Sequence, residues 1–256
     1  MKIAIVSSKE DEAGMNIQSF LKDLIKPKMG SHEVSLQIYD KETIYLENLD
    51  EELGCDMIIF ATKHESKSGV HSLSVHTQGN WGKAGLGGKP NDLGISPACW
   101  LKEAMKILEQ KAIALHYEVI QEVTHHGPSL SVPSFFIEIG SSVEEWNNPK
   151  AGKLLAETIV ELLEMDVPTY KTAVGIGGLH HTPSFKKIIL NSDIALGHAC
   201  PKYNLENLDK KMLIQAMKKT VPKAELVIID WKGVGSYKEQ LKEMLEGIDW
   251  KRTKDF

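Results

Sequence analysis

Met57–Thr77 reads MIIFATKHESKSGVHSLSVHT, and two periodicities within it decide the fold class. Met57–Ala61 (MIIFA) is an unbroken apolar run, the mark of a strand buried on both faces. His71–Thr77 (HSLSVHT) alternates, which predicts a half-exposed strand. Leu73 and Val75 then share a face with His71 and Thr77, while Ser72, Ser74 and His76 point the other way. His76 leaves its strand opposite the apolar pair, where a glycine-dense segment begins. That segment carries Gly79, Gly82, Gly85, Gly87 and Gly88 and is not helical, because each interior glycine costs roughly 1 kcal/mol. It offers backbone N–H groups that a ligand can approach closely.

Upstream, Lys2–Ser8 (KIAIVSS) reads as a buried strand, and a helix over 13–26 is ended by Pro27 and Gly30. Glu33–Tyr39 alternates as a second strand, and a short helical patch over 46–53 leads back to Met57. Strand, helix, strand, helix, strand predicts an α/β fold, a mostly parallel or mixed sheet sandwiched between helices. Downstream, Ser96–Pro97 is expected to start a helix, the serine as N-cap and the proline as first helical residue. Tyr117–Thr124, Ser134–Gly140, Lys171–Ile176, Asp193–Ala199 and Leu226–Asp230 read as strands, with helices from Asn148–Pro149 to 164 and over 184–190, 208–219 and 237–245. No linker or low-complexity run interrupts residues 1–256, so a single domain is expected.

A hydrophobic share of 42% and a charged share of 25% are those of an ordinary soluble protein. No apolar run approaches the roughly 20 residues of a membrane span, so a cytoplasmic location without a membrane partner is expected. Cys55, Cys99 and Cys200 are widely spaced and odd in number, which signals reduced thiols rather than a disulfide framework. A net charge of −5 argues against indiscriminate nucleic-acid binding, and DNA is not an expected partner. Arg252 is the sole arginine, so any RNA phosphate must be met by lysine and backbone N–H groups, which favours recognition of shape or of an end.

Seven histidines fall at or just beyond predicted strand ends: His64, His76, His125, His126, His180, His181 and His198. In a parallel sheet those ends form the ligand crevice, where histidine serves as proton shuttle or metal ligand. His76, His126 and His181 are the catalytic candidates. His64, His125, His180 and His198, with Glu138 as carboxylate, are the candidate metal ligands. No H-E-x-x-H and no cysteine pair is present, so no short zinc motif supports that set. If His125–His126 continues its strand, the rings point to opposite faces and only one joins a site. Glu138 has two readings: a site carboxylate, or a solvent-facing residue of an edge strand. Gly175, Gly177 and Gly178 do not make a dinucleotide loop, because its third glycine would fall at His180. Neither a nucleotide-hydrolase phosphate loop nor G-x-S-x-G occurs. Hydrolysis by water remains, with the N–H groups of Gly87–Gly88 or Gly177–Gly178 as oxyanion donors.

Four long segments carry a family likeness: Lys63–Gly88 (KHESKSGVHSLSVHTQGNWGKAGLGG), Thr124–Trp146 (THHGPSLSVPSFFIEIGSSVEEW), Gly175–Phe185 (GIGGLHHTPSF) and Ala195–Tyr203 (ALGHACPKY). Together they resemble the archaeal and plant type of D-aminoacyl-tRNA deacylase, in order along essentially the whole chain. The resemblance implies hydrolysis of the ester between a D-amino acid and the 3′ end of tRNA, zinc dependence, and a phosphorylase/peptidyl-tRNA hydrolase-like fold. Its expected partner is the acceptor end of D-aminoacyl-tRNA, and a monomer is expected. Asn80 and Trp81 are then candidates to receive the terminal adenosine or the aminoacyl group, Trp81 either stacking on a base or pinning the loop as a core aromatic. Lys63, Lys67, Lys83 and Lys89 flank the loop and are placed for acceptor-end phosphates. Two other readings are a zinc amidohydrolase or nucleoside-type hydrolase acting on a small molecule, and a non-catalytic binder of tRNA ends.

Overall fold

A computed structural model of the chain describes residues 1–67 and 69–256. The large sheet has seven strands in the order Lys28–Met29, His32–Tyr39, Lys2–Ser8, Met57–Glu65, Ser134–Ser141, Ser72–His76, Glu118–Gln121. The four strands from His32–Tyr39 to Ser134–Ser141 are mutually parallel. Ser72–His76 then runs antiparallel to Ser134–Ser141, with Glu118–Gln121 parallel beyond it, so the sheet is mixed. Ser72–His76 is buried throughout, not half-exposed, because it is an interior strand whose polar face packs on other polar side chains. Ser134–Ser141 is interior too, which removes the edge-strand reading of Glu138.

One face of this sheet presents Ile3, Ile5, Met57, Ile59, Phe135 and Ile137 to the helices Glu12–Leu24, Ala98–Ala112 and Pro149–Glu164. Each such side chain, fully buried, contributes about 1.5–3 kcal/mol. The other face begins apolar, with Ala4, Val6, Ile58, Phe60 and Phe136 covered by Leu46 and Leu49. Two residues further along each strand it turns polar, at Thr62 and His64 and at Glu138. The side-chain period of two keeps all these residues on one face, so the candidate site continues a core stripe.

A second sheet holds four parallel strands in the order Ile194–Cys200, Lys171–Ile176, Leu226–Ile229, Trp250–Arg252. Its apolar residues Leu196 and Ile228 belong to the same core as Leu101 and Ala104 of the helix Ala98–Ala112. The segment after the edge strand Glu118–Gln121 stitches the two sheets together. Gln121 Nε2 donates to the Leu196 carbonyl at 2.8 Å, Val123 N–H to His180 at 3.0 Å and Thr124 N–H to Ala199 at 3.0 Å.

The expected cap at Ser96–Pro97 is shifted by one residue. Ser96–Pro97 pairs with Thr220–Val221, the Ser96 hydroxyl accepts from Thr77 at 2.8 Å, and the helix starts at Ala98 after Pro97. The ladder to a distant strand outcompetes the local cap. Asn148, in contrast, caps Pro149–Glu164 as its sequence indicates, accepting from Lys150 N–H at 3.1 Å. Among the described residues, no helix is long and apolar enough to cross a membrane.

Lys102 is 2% exposed, and its ammonium donates to the carbonyls of Ile189, Ser192 (2.7 Å) and Ile194 (2.9 Å). It thereby closes the C-terminal end of the helix Pro183–Asn191, where carbonyls lack intrahelical partners. Lys102→Ala strands these acceptors in the core, and a loss of about 3 kcal/mol is expected in denaturant unfolding. Exposed Lys187→Ala is expected to stay within about 0.5 kcal/mol of the parent.

Candidate active site

Register across three strands builds the site. Glu138 lies opposite Thr62 on one side and Ser74 on the other, and Phe136 lies opposite His76. Thr62 donates to Glu138 at 2.8 Å and Ser74 at 3.4 Å, while His76 Nε2 stands 3.6 Å from the same carboxylate. Gly140, opposite His64, leaves the space that the ring fills; a Cβ there would lie 2.8 Å from His64 Cδ2.

The centre of the site is a residue that sequence reasoning passed over. Glu122 has a carboxylate with no solvent exposure, one oxygen 3.0 Å from His64 Nδ1 and the other 2.8 Å from His180 Nε2. His125 Nε2 stands 3.8 Å away. Burial pushes this carboxyl up, but the hydrogen bonds from His180 and His64 and the imidazole charges outweigh it and hold the group well below the usual range. Its only sequence signal is a charge inside YEVIQEVT just before the histidine pair.

Burial also opposes charge on His64, yet Glu122 and Glu138 raise the imidazole to about 9. His76 is raised as well, Glu138 overcoming its burial. His125 and His126 go the other way. Burial first, then the His76 charge, pushes His125 far down and His126 down to about 3. Environments that drive neighbouring imidazoles apart separate a proton donor from proton acceptors.

These rings border a cavity of about 380 Å³ lined by His64, His125, His126, His180, Phe136 and Glu138, with the Thr43–Tyr45 turn as a wall. Both His125 and His126 take part. The expectation that only one joins fails because the strand stops at Gln121 and His126 turns to φ +47°, left-handed, so the two rings no longer alternate. Both stand beside His76, at 4.3 and 4.9 Å between ring centres. His181 is at the rim, 5.6 Å from the His64 ring.

Other expected residues lie elsewhere. His198 is fully buried, 3.1 Å from the Thr124 hydroxyl and edge-on to Trp81, away from the candidate metal ligands, and burial pushes it down to about 3. Trp81 is 1% exposed in a core with Leu205, Leu208 and Met212, so no face is free for a base. Asn80 donates to the Gly87 carbonyl at 3.0 Å and holds the loop. The Gly88 N–H is taken by Glu47 at 2.8 Å, and a Cβ on Gly87 would reach 1.9 Å from the Ile44 carbonyl oxygen, so these glycines serve close packing. The Gly177 N–H is taken by Cys200 at 2.8 Å, and Gly178 packs against Ser184. Lys83 is on the exposed outer side of the loop.

Among the described residues, three sets bring ligand atoms within 4.8 Å of one another: His76, His125 and His126; His64, Glu122 and His180; and His76, Glu122 and Glu138. In the first, each Nδ1 faces a backbone carbonyl, of Thr77 (3.3 Å), Val123 (2.9 Å) and Gly127 (2.6 Å). A carbonyl only accepts, so Nδ1 carries the proton; His125 and His126, held neutral, keep the Nε2 lone pair a cation needs, whereas His76, raised by Glu138 beside its Nε2, offers that lone pair only after giving up its second proton. In the second, the imidazole N–H groups are committed to Glu122.

The shifts fix a pH response for metal-free protein. His64, with folded pKa about 9 against an ordinary 6.5, adds stability that is complete below 6.5 and lost as pH rises through 9. Glu122 adds stability that is present above its ordinary 4.5 and lost only as pH falls through its depressed value. Unfolding free energy measured by denaturant is therefore expected to fall between pH 6.5 and 9. Glu122→Gln is expected to reduce that slope, leaving the part carried by His76.

Comparison with known proteins places the chain in a family. A family model described as D-aminoacyl-tRNA deacylase matches residues 51–252. A Thermococcus kodakarensis protein named D-aminoacyl-tRNA deacylase is 38% identical, covering 91% of this chain and 92% of that one. A Pyrococcus abyssi protein of the same name is 39% identical over 96% of each. A crystal structure described as a conserved protein of unknown function superposes with a TM-score of 0.89 at 33% identity, over 100% of this chain and 96% of its own. The chain belongs to the D-aminoacyl-tRNA deacylase family.

Proposed function

We propose that this protein hydrolyses the ester bond between a D-amino acid and the 3′ end of tRNA, releasing the free D-amino acid and the tRNA. The observation that carries this reading is the Glu122 carboxylate, sealed from water behind the cavity and clamped between His64 and His180, which line it. At about 380 Å³ the cavity suits an aminoacyl group but not a nucleic-acid helix. The relatives' names supply the substrate class.

An aminoacyl ester is already activated, so hydrolysis needs a proton acceptor for water, a donor for the carbonyl oxygen and a proton for the departing ribose oxygen. His64, ionised near neutral pH and held by Glu122, presents a buried Nε2–H without a protein partner. That donor meets the negative charge that develops on the carbonyl oxygen. His125 and His126 remain neutral, with Nε2 lone pairs free to accept a proton. As the C–O bond to ribose breaks, the ribose oxygen takes the electron pair and the proton that water gave up, returned by the imidazole that accepted it.

Zinc is part of the proposal. His76, in its neutral form, with His125 and His126 would hold it through Nε2, taking up the lone pairs that accept the proton in metal-free protein, and when bound it would supply a water whose pKa is lowered to about 7.

The test is release of D-tyrosine from D-tyrosyl-tRNA, with L-tyrosyl-tRNA spared. Glu122→Gln is expected to lower kcat by about 100-fold or more. Dialysis against a chelator is expected to abolish turnover and zinc to restore it. Full activity without zinc would remove the metal and leave the histidine chemistry.

A further inference from the structure

We infer that the ring of Tyr203 is the platform on which the terminal adenine of tRNA stacks while the ester occupies the cavity. The inference rests on the substrate read above. With the ester carbonyl at His64, the base on the same ribose must sit at the mouth, one sugar away. Trp81, the aromatic whose sequence position suggested this task, is sealed in the core. Tyr45 lines the cavity, but it is half-buried and the Lys41 ammonium stands over its ring at 5.9 Å.

Tyr203 has what the task needs. It is 53% exposed, and Leu179, beside His180 in sequence, is 54% exposed, an unusual amount of apolar surface next to a catalytic cleft. Its hydroxyl is 3.0 Å from His180 Nδ1. Glu122 only accepts, so His180 Nε2 carries the proton toward it and the tyrosine O–H donates to Nδ1. The phenol is pushed up to about 12, by burial of its polar end and then by the Glu122 charge, so the donor persists at neutral pH. The turn Lys202–Asn207 that carries it is fixed by Lys202 N–H donating to Gly178 at 3.1 Å. A ring held at its hydroxyl end and open on its face is preorganised for stacking, and base stacking tolerates any sequence. Exposed Lys202 stands beside it for a phosphate.

The experiment compares binding of uncharged tRNA with binding of the same tRNA lacking its terminal adenosine. Wild type is expected to prefer the intact molecule by about tenfold. Tyr203→Ala is expected to bind both alike, at the level of wild type with the truncated tRNA, whereas Tyr203→Phe, which keeps the ring, is expected to retain the preference. Tyr203→Ala that keeps the preference, or that weakens both tRNAs equally, overturns the inference. So does loss of the preference in Tyr203→Phe. Wild type that hydrolyses D-tyrosyl-tRNA yet shows no preference sinks this inference alone, and wild type that binds neither tRNA sinks the substrate reading with it.

Discussion

A carboxylate cut off from water stays ionised only where donors and positive charge replace its hydration, and Glu122 meets that condition through two imidazoles. Removing one partner of such a buried pair typically costs 3–5 kcal/mol, because the other charge remains buried. The clamp therefore dictates where three distant stretches of chain meet: the end of strand Met57–Glu65, the exit from Glu118–Gln121 and the loop before helix Pro183–Asn191. Reactivity and architecture share these contacts. The interaction that orders the cleft also charges His64.

The placement follows from topology. The large sheet alone has a polar face without a lid at the ends of its central strands. The second sheet supplies His180 and Tyr203 from loops after Lys171–Ile176 and Ile194–Cys200, and the segment Gln121–Thr124 bonds to both sheets. Binding groups concentrate where rigid strands end in loops, and here two sets of such loops face each other. His198, also near a strand end, is lost to the core because its strand turns that residue toward Trp81 and Thr124.

Strands, most helices and the mixed-sheet class were legible because local periodicity states them directly: Lys171–Ile176 and the helix from Asn148–Pro149 fall where their residues place them. The histidines were legible as a group, since six of seven gather round the cavity or its rim. Glu122 was not, because a carboxylate in an alternating strand looks the same whether its face meets water or a second sheet. The glycine loop misled for a related reason. Its glycines permit close approach, but the partner is Ile44 and Gly127 of this same chain rather than a ligand, and sequence does not distinguish the two.

The charges lining the cavity bear on what enters it. Asp11, Glu42, Glu65 and Glu138 line it against one lysine ammonium, Lys63, and the His64 imidazolium. Burial raises the Asp11 carboxyl to about 6, still ionised for the most part at neutral pH. A phosphate entering this field would meet more anions than cations, whereas the α-ammonium of an aminoacyl ester, with a pKa near 8, meets its complement. On the proposed reading the acceptor end divides at the ribose, its cationic amino acid drawn inside and its phosphates kept out of this acidic cavity. A protein with one arginine and a net charge of −5 does not need a basic groove to select its substrate if the cavity itself admits only that end.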